Sequence, residues 1–260
     1  MTASMVVRAS VAPMHAEARV SSPQVSQRLA GHAVAVLESA EDWLRVRGED
    51  EYEGWMHRGY LNVPGDAAMA PRRLSLGCAV RGPDESVPRM LPLGAWVAAN
   101  ERVESGDSVD PAERLRLFPP AAEAIARTAV DRFAGTPYQW GGITPWGADC
   151  SGLVQTAFWL HGVSLPRDAW QQALVGADAG DDVGAWTAAD LAFFSDRPDA
   201  RITHVGMALG GSRMVHLALG RGGYAVERLD ATDDPYLTTL RSRLVCARRV
   251  VSGEIGVRVV

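Results

Sequence analysis

The stretch Ala148-Asp149-Cys150-Ser151-Gly152-Leu153-Val154-Gln155-Thr156-Ala157-Phe158-Trp159-Leu160 decides how this chain is read. Asp149 is a short carboxylate of the kind that caps a helix by accepting a backbone N–H, and Gly162 stands where such a helix would stop. Cys150 then becomes the first helical residue. There a thiolate meets the positive end of the helix dipole, and with a histidine nearby a cysteine pKa can fall from about 8.5 to as little as about 3.5. A cysteine at a helix start is equally compatible with an inert buried thiol. Its assignment as a nucleophile therefore depends on partners.

Those partners lie further along the chain. Thr203 to Leu209 alternates toward a Gly210-Gly211 turn and Met214 to Leu217 returns, which predicts a hairpin. With the turn centred near Gly210, His204 and His216 face each other directly across the ladder on one side of the sheet. Cys150 as nucleophile, His204 as base and His216 as the group that orients the base meet the requirements of a catalytic triad. Each histidine alone also reads as an ordinary strand residue. The same three residue types suit zinc as well, but a fourth ligand at metal spacing is missing, so no metal or other cofactor is expected. For the oxyanion formed on attack, the backbone N–H of Cys150 is one natural donor.

Around this stretch, Pro119-Pro120 opens a helix running to Phe133 that Gly135 ends. Beyond Pro166 the pattern turns to strands at Leu191 to Phe194, His204 to Leu209, Arg213 to Leu217, Tyr224 to Arg228 and Leu244 to Val250. Helices followed by antiparallel strands make an α+β domain, placed at residues 118–252.

The N-terminal part differs. Short alternating runs at Gln27 to Leu29, Ala33 to Glu38, Trp43 to Arg47 and Gly54 to Met56 indicate a small all-β barrel over residues 5–65. The order Val25-Ser26-Gln27-Arg28-Leu29, Val34-Ala35-Val36-Leu37-Glu38, Asp42-Trp43-Leu44-Arg45-Val46-Arg47, Glu53-Gly54-Trp55-Met56, closed by Tyr60-Leu61, resembles bacterial SH3-like domains. A fainter set at Leu74 to Arg81, Val87 to Leu93 and Ala95 to Ala99 suggests a second SH3-like barrel over residues 66–117, with an irregular linker as the alternative.

Pro137-Tyr138-x-Trp140-Gly141-Gly142, Asp149-Cys150-Ser151-Gly152-Leu153-Val154, Leu165-Pro166-Arg167-Asp168, Ala189-Asp190-Leu191-x-Phe193-Phe194 and His204-Val205-Gly206 together resemble the NlpC/p60-type cell-wall peptidases, in that family's order. The resemblance implies a papain-like fold and hydrolysis of peptidoglycan stem peptides at the γ-D-glutamyl-diamino acid bond. With SH3-like domains in front, it further implies fragments with a free N-terminal L-alanine, as in murein peptide recycling. By motif, Tyr138, Trp140, Asp149, Ser151 and Asp168 would line the substrate site, with the Asp168 carboxylate accepting the substrate ammonium. Tyr60 would close the alanine side or serve as an ordinary barrel aromatic. Where some such proteins offer an acidic residue before the Val-Ser-Gln stretch, this chain has Pro23-Gln24. Arg167 is expected to pair with a nearby acidic side chain, and Trp146, Trp159 and Trp170 are expected to pack.

Composition agrees with a globular protein and excludes several classes. The 260 residues are 47% hydrophobic and 22% charged with a formal net charge of −5, which gives no basic footprint for nucleic acid or an anionic membrane. Without a transmembrane or signal-peptide run, the chain as given is expected in the cytoplasm, or exported if further sequence precedes it. Three cysteines at wide spacing suggest no disulfide framework, and Cys78 and Cys246 are expected to pack in strands. Two other functions fit the same pattern: a non-catalytic peptidoglycan-binding module, and a papain-like acyltransferase.

Overall fold

The computed structural model describes residues 3–64 and 72–251, so the domain boundaries expected at 65/66 and at 252 lie outside the described residues. The chain divides into two compact units, residues 1–114 with 140–144, and residues 115–139 with 145–260.

In the first unit, seven strands follow one another: β1 (Ala3–Val7), β2 (Val11–His15), β3 (Gln24–Leu29), β4 (Ala33–Ala40), β5 (Trp43–Arg47), β6 (Glu53–His57) and β7 (Leu61–Asn62). They form one sheet in the order β3-β2-β6-β5-β4-β1-β7, with antiparallel neighbours throughout. Alternation places Leu44 and Val46 of β5 inward with Met14, Val34 and Met56. Arg45 and Arg47 point outward, where both pair with Glu53. Inside the barrel Arg28 forms a charge pair with Asp50. This is the SH3-like domain expected from the run lengths.

The next segment differs in detail from its expected strands. Val87 to Leu93 and Ala95 to Ala99 are one strand, β9 (Arg89–Val97), because Gly94, with a positive φ of 91°, is absorbed in an irregularity of the ladder between the Leu76–Leu93 and Leu74–Trp96 pairs. With β8 (Arg73–Arg81) and β10 (Arg102–Val109), a strand the sequence did not announce, it makes a three-stranded sheet ordered β10-β8-β9. Cys78, Val80, Leu91, Ala95 and Val97 share a core with Leu29, Ala30 and Ile143, the last from the short strand β11 (Ile143–Thr144).

The second unit begins in the one-turn helix α1 (Arg114–Leu117) and continues into α2 (Ala122–Phe133). Strand β12 (Gly147–Ala148) leads into α3 (Cys150–Leu160), then α4 (Ala169–Gln172), β13 (Ala177–Asp178), β14 (Leu191–Phe194), β15 (His204–Gly210), β16 (Arg213–Ala218), β17 (Gly223–Arg228), α5 (Pro235–Ser242) and β18 (Leu244–Arg249). Six of these strands form an antiparallel sheet ordered β13-β18-β14-β15-β16-β17. Helix α3 is mostly apolar, as suits a helix enclosed by protein, with Ser151, Gln155 and Thr156 its polar residues. Every residue of it but Trp159 is buried, and it packs on α2, β15 and β16. His161 ties the helix pair together, with Nε2 2.9 Å from Thr128 Oγ1 on α2. The α+β architecture is thus helices on an antiparallel sheet.

Two loops converge on the start of α3. The segment before it is held by a bridge from Tyr138 to Ala148 and one from Pro137 to Gly223, reinforced by Gln139 N–H donating to Ala148 O at 2.9 Å and Tyr224 N–H to Thr136 O at 2.9 Å. Gly223 has a φ of 148°, and a Cβ built there would lie 2.3 Å from the Thr136 carbonyl oxygen. Replacing Gly223 with alanine should therefore cost about 1–3 kcal/mol of stability from the backbone conformation alone, and more from the clash. A urea midpoint equal to that of the parent would contradict this.

Candidate active site

Cys150 opens α3 as its first residue, with Asp149 as the N-cap in extended conformation (φ −98°, ψ 178°). The Asp149 carboxylate accepts from the Gly152 N–H at 2.7 Å and from the Ser151 hydroxyl at 3.2 Å. Arg167 completes the set: its Nη1 donates to Asp149 Oδ1 at 3.0 Å and to Ser151 Oγ at 2.9 Å, and its Nη2 donates to Asp149 Oδ2 at 2.7 Å. Arg167 is 1% exposed. Asp149 and Ser151 flank Cys150, but their side chains are engaged in this inward network.

The two histidines meet as expected, although by a different register. Met207 lies opposite Val215 and Ala208 opposite Met214, so the continued ladder sets Gly206, not His204, across from His216. His204 and His216 are diagonal neighbours on one face, with His204 Nε2 2.9 Å from His216 Nδ1. An irregularity between Ala208 and Gly210 makes this possible. From the Gly210–Arg213 pair alone, a regular ladder would turn the two imidazoles to opposite faces, since the side-chain period is two. The extra residue restores the parity. Gly206, across from His216, has no room for a side chain, since a Cβ there would fall 2.3 Å from the Met214 sulfur.

The thiol of Cys150 lies against the backbone N–H of Val205, the residue after His204. Burial, and after it the Asp149 carboxylate, pushes the thiol up to about 12. Burial and then His216 push His204 down to about 3. The sequence led us to expect a thiolate already formed by the helix dipole. Here dehydration opposes the dipole, and both shifts favour the neutral thiol and the neutral imidazole.

The other expected residues fall as follows. Tyr138 is half-buried, and burial, then the neighbouring Cys150 and Asp149, raise its phenol above the usual range, so it stays a hydroxyl donor. Asp168 is half-buried at the N-cap of α4, where its N–H reaches Gln171 Oε1 at 3.4 Å. Tyr60 and Trp140 belong to the first unit; Tyr60 packs beside that unit's barrel core and Trp140 is 64% exposed. Gln24, which stands where some SH3-like proteins offer an acidic residue, donates its amide to Trp140 O at 2.9 Å.

Three expectations need correction. Trp146 and Trp170 are 48% and 42% exposed, not packed inside. Cys246 is only half-buried, while Cys78 is buried. Sequence reasoning also missed Glu227, a buried carboxylate on β17 whose Oε1 stands 3.6 Å from His216 Nε2. A signal existed: in the expected alternation on β17, Glu227 is the lone acidic residue in Tyr224 to Arg228. Among the described residues no group of three or more His, Cys, Asp or Glu is placed to hold a metal ion.

Two outcomes follow from this geometry. Arg167→Met strands the buried Asp149 carboxylate and should cost about 3–5 kcal/mol, whereas adding Asp149→Asn to it should recover part of that loss in denaturant unfolding. His204 ring signals should show no titration midpoint between pH 8 and pH 5 by NMR. A midpoint near the usual 6.5 would contradict the depressed imidazole.

Comparison with known proteins agrees with this arrangement. Residues 135–242 match the NlpC/P60 family and residues 10–62 the bacterial SH3 domain. The chain is 38% identical to a gamma-D-glutamyl-L-lysine dipeptidyl-peptidase of Bacillus subtilis over 49% of this chain and 40% of that protein. It is 28% identical to a protein of the same name from Bacillus cereus over 74% of this chain and 66% of that one. The chain thus spans less than two thirds of the length of these curated relatives. The crystal structure of an NlpC/P60 family protein from Bacillus cereus shares the fold, with a TM-score of 0.77 at 18% identity over 96% of this chain and 100% of that one. The chain therefore carries an NlpC/P60 domain, C-terminal to a bacterial SH3 domain.

Proposed function

We propose that this protein is a cysteine peptidase that hydrolyses the γ-D-glutamyl-diamino acid bond of peptidoglycan stem peptides, acting on released fragments with a free N-terminal L-alanine. The observation that carries the reading is Cys150 at the start of a buried helix, against the strand whose His204 bonds to His216 at 2.9 Å. The names of the two curated relatives support the bond type, since both are gamma-D-glutamyl-L-lysine dipeptidyl-peptidases.

In the proposed reaction Cys150 Sγ attacks the γ-glutamyl carbonyl carbon while its proton passes to His204. The oxyanion is held by the Cys150 N–H, and the Tyr138 hydroxyl is a second donor close to the thiol. The protonated His204 gives its proton to the departing amine, leaving a thioester. His204 then takes a proton from water, whose oxygen displaces the sulfur to release the carboxylate and restore the thiol.

An enzyme that removes a dipeptide has to sense the free amino end. Of the two acidic candidates, Asp149 is engaged by Arg167, Ser151 and Gly152. Asp168, half-buried and itself part of the capping box that starts α4, is the proposed counter-ion for the substrate ammonium on the strength of its Leu165-Pro166-Arg167-Asp168 motif.

L-Ala-γ-D-Glu-diaminopimelate and its lysine counterpart should be split by the parent protein and left intact by Cys150→Ala, as followed by mass spectrometry. Acetylating the alanine should lower kcat/KM by about tenfold or more if an ammonium-carboxylate contact is lost. Equal rates on free and acetylated peptides would remove Asp168 from this role. Transfer of the glutamyl group to an added amine in place of water would favour an acyltransferase.

A further inference from the structure

The reaction above uses Cys150, His204 and His216 and leaves one buried charge beside them without a task. His216 is 1% exposed, and its Nε2 makes no hydrogen bond with any described residue. Glu227 Oε1 stands 3.6 Å from that nitrogen, within ion-pair range but too far for a hydrogen bond. The placement follows from the sheet register. His216 lies opposite Ala225 and Met214 opposite Glu227, so Glu227 is diagonal to His216 on the face that also carries His204. Three polar side chains thus cross β15, β16 and β17 in a row.

The remaining charges around the row are fixed. Arg221 donates to both Glu227 oxygens, at 2.7 and 3.3 Å, and also to Asp234. Its guanidinium lies 4.2 Å from the centre of the Tyr236 ring, which in turn lies edge-on to His216 at 6.4 Å between ring centres. Asp196 acts on His204 from the loop before β15, and Asp149 on Cys150 from α3. Glu227, Asp234 and Arg221 together leave one net negative charge next to His216.

We propose that Glu227 is a positioning residue that fixes which nitrogen of His216 carries the proton and, through it, which nitrogen of His204 is free to act as base. A carboxylate facing His216 Nε2 favours a proton there, because a bare lone pair would be repelled. His216 Nδ1 is then an acceptor, so the 2.9 Å bond must be donated by His204 Nε2. His204 Nδ1 is left as the lone pair for the Cys150 proton. When that proton arrives, the imidazolium keeps the same bond and the Glu227 charge stabilises it from behind.

This inference rests on the cysteine-peptidase reading but is tested without a peptide substrate, so a wrong substrate would not disturb it. In the parent protein, nitrogen-resolved NMR at neutral pH should find both His204 and His216 protonated on Nε2. A His216 protonated on Nδ1 would overturn the proposal with no variant needed. Iodoacetamide labelling at pH 7, with half-buried Cys246 as the reference within the same chain, should slow at Cys150 by about tenfold or more in Glu227→Gln. Arg221→Gln removes the same ion pair but leaves the carboxylate, and should label Cys150 at least as fast as the parent. Equal slowing in both variants would mean the ion pair is merely structural, and no slowing in Glu227→Gln would mean the charge is not felt; either result sinks the proposal.

Discussion

The start of α3 is buried, and everything chemical in the second unit depends on how that burial is tolerated. A helix end leaves N–H groups without partners, and a carboxylate taken out of water needs full compensation. Asp149 and Arg167 solve both problems at once. The carboxylate caps the helix, and the guanidinium neutralises it while holding Ser151 on the other side of the thiol. Such a pair gives little net stability over an apolar replacement, but it is costly to break. It also ties together the two residues on either side of Cys150.

The same network has an electrostatic consequence. Asp149 raises the energy of a thiolate at Cys150, and Arg167 only partly offsets this. The helix N-terminus is commonly an activator of cysteine, yet in this setting its own capping carboxylate and the exclusion of water oppose it. In the proposed reaction a base takes the proton during attack. The imidazole pair across β15 and β16, backed by a carboxylate on β17, is built from one face of a sheet and is as rigid as its ladder.

Much of this was legible in the sequence because it follows short-range rules. Helix α3 spans the residues its cap and terminal glycine marked, and β14 to β18 lie within a residue or so of where alternation put them. What escaped depended on neighbours distant along the chain. Strands β1 and β2 carry Pro13 and few consecutive apolar residues, and are strands because β3, β4 and β6 bind them. Helix α5 follows a turn-rich run, Asp230 to Asp234, that masks its start, and it is stabilised by Leu237 and Leu240 docking in the sheet's core. Glu227 looked like any solvated strand charge until β17 was paired with β16. The register of the histidine hairpin could not be read because an extra residue in one strand leaves no compositional trace.

That extra residue sets where this hairpin can vary over evolutionary time. The span from His204 to His216 behaves as a counter in which only parity matters: one residue gained or lost inside it exchanges the two faces of the sheet, while a change of two leaves them as they were. Gly211, at a positive φ of 58°, and Ser212 at the tip are thus constrained in number. Related domains with hairpins of other lengths must either change in even steps or gain and lose the irregularity together with the residue that makes it necessary.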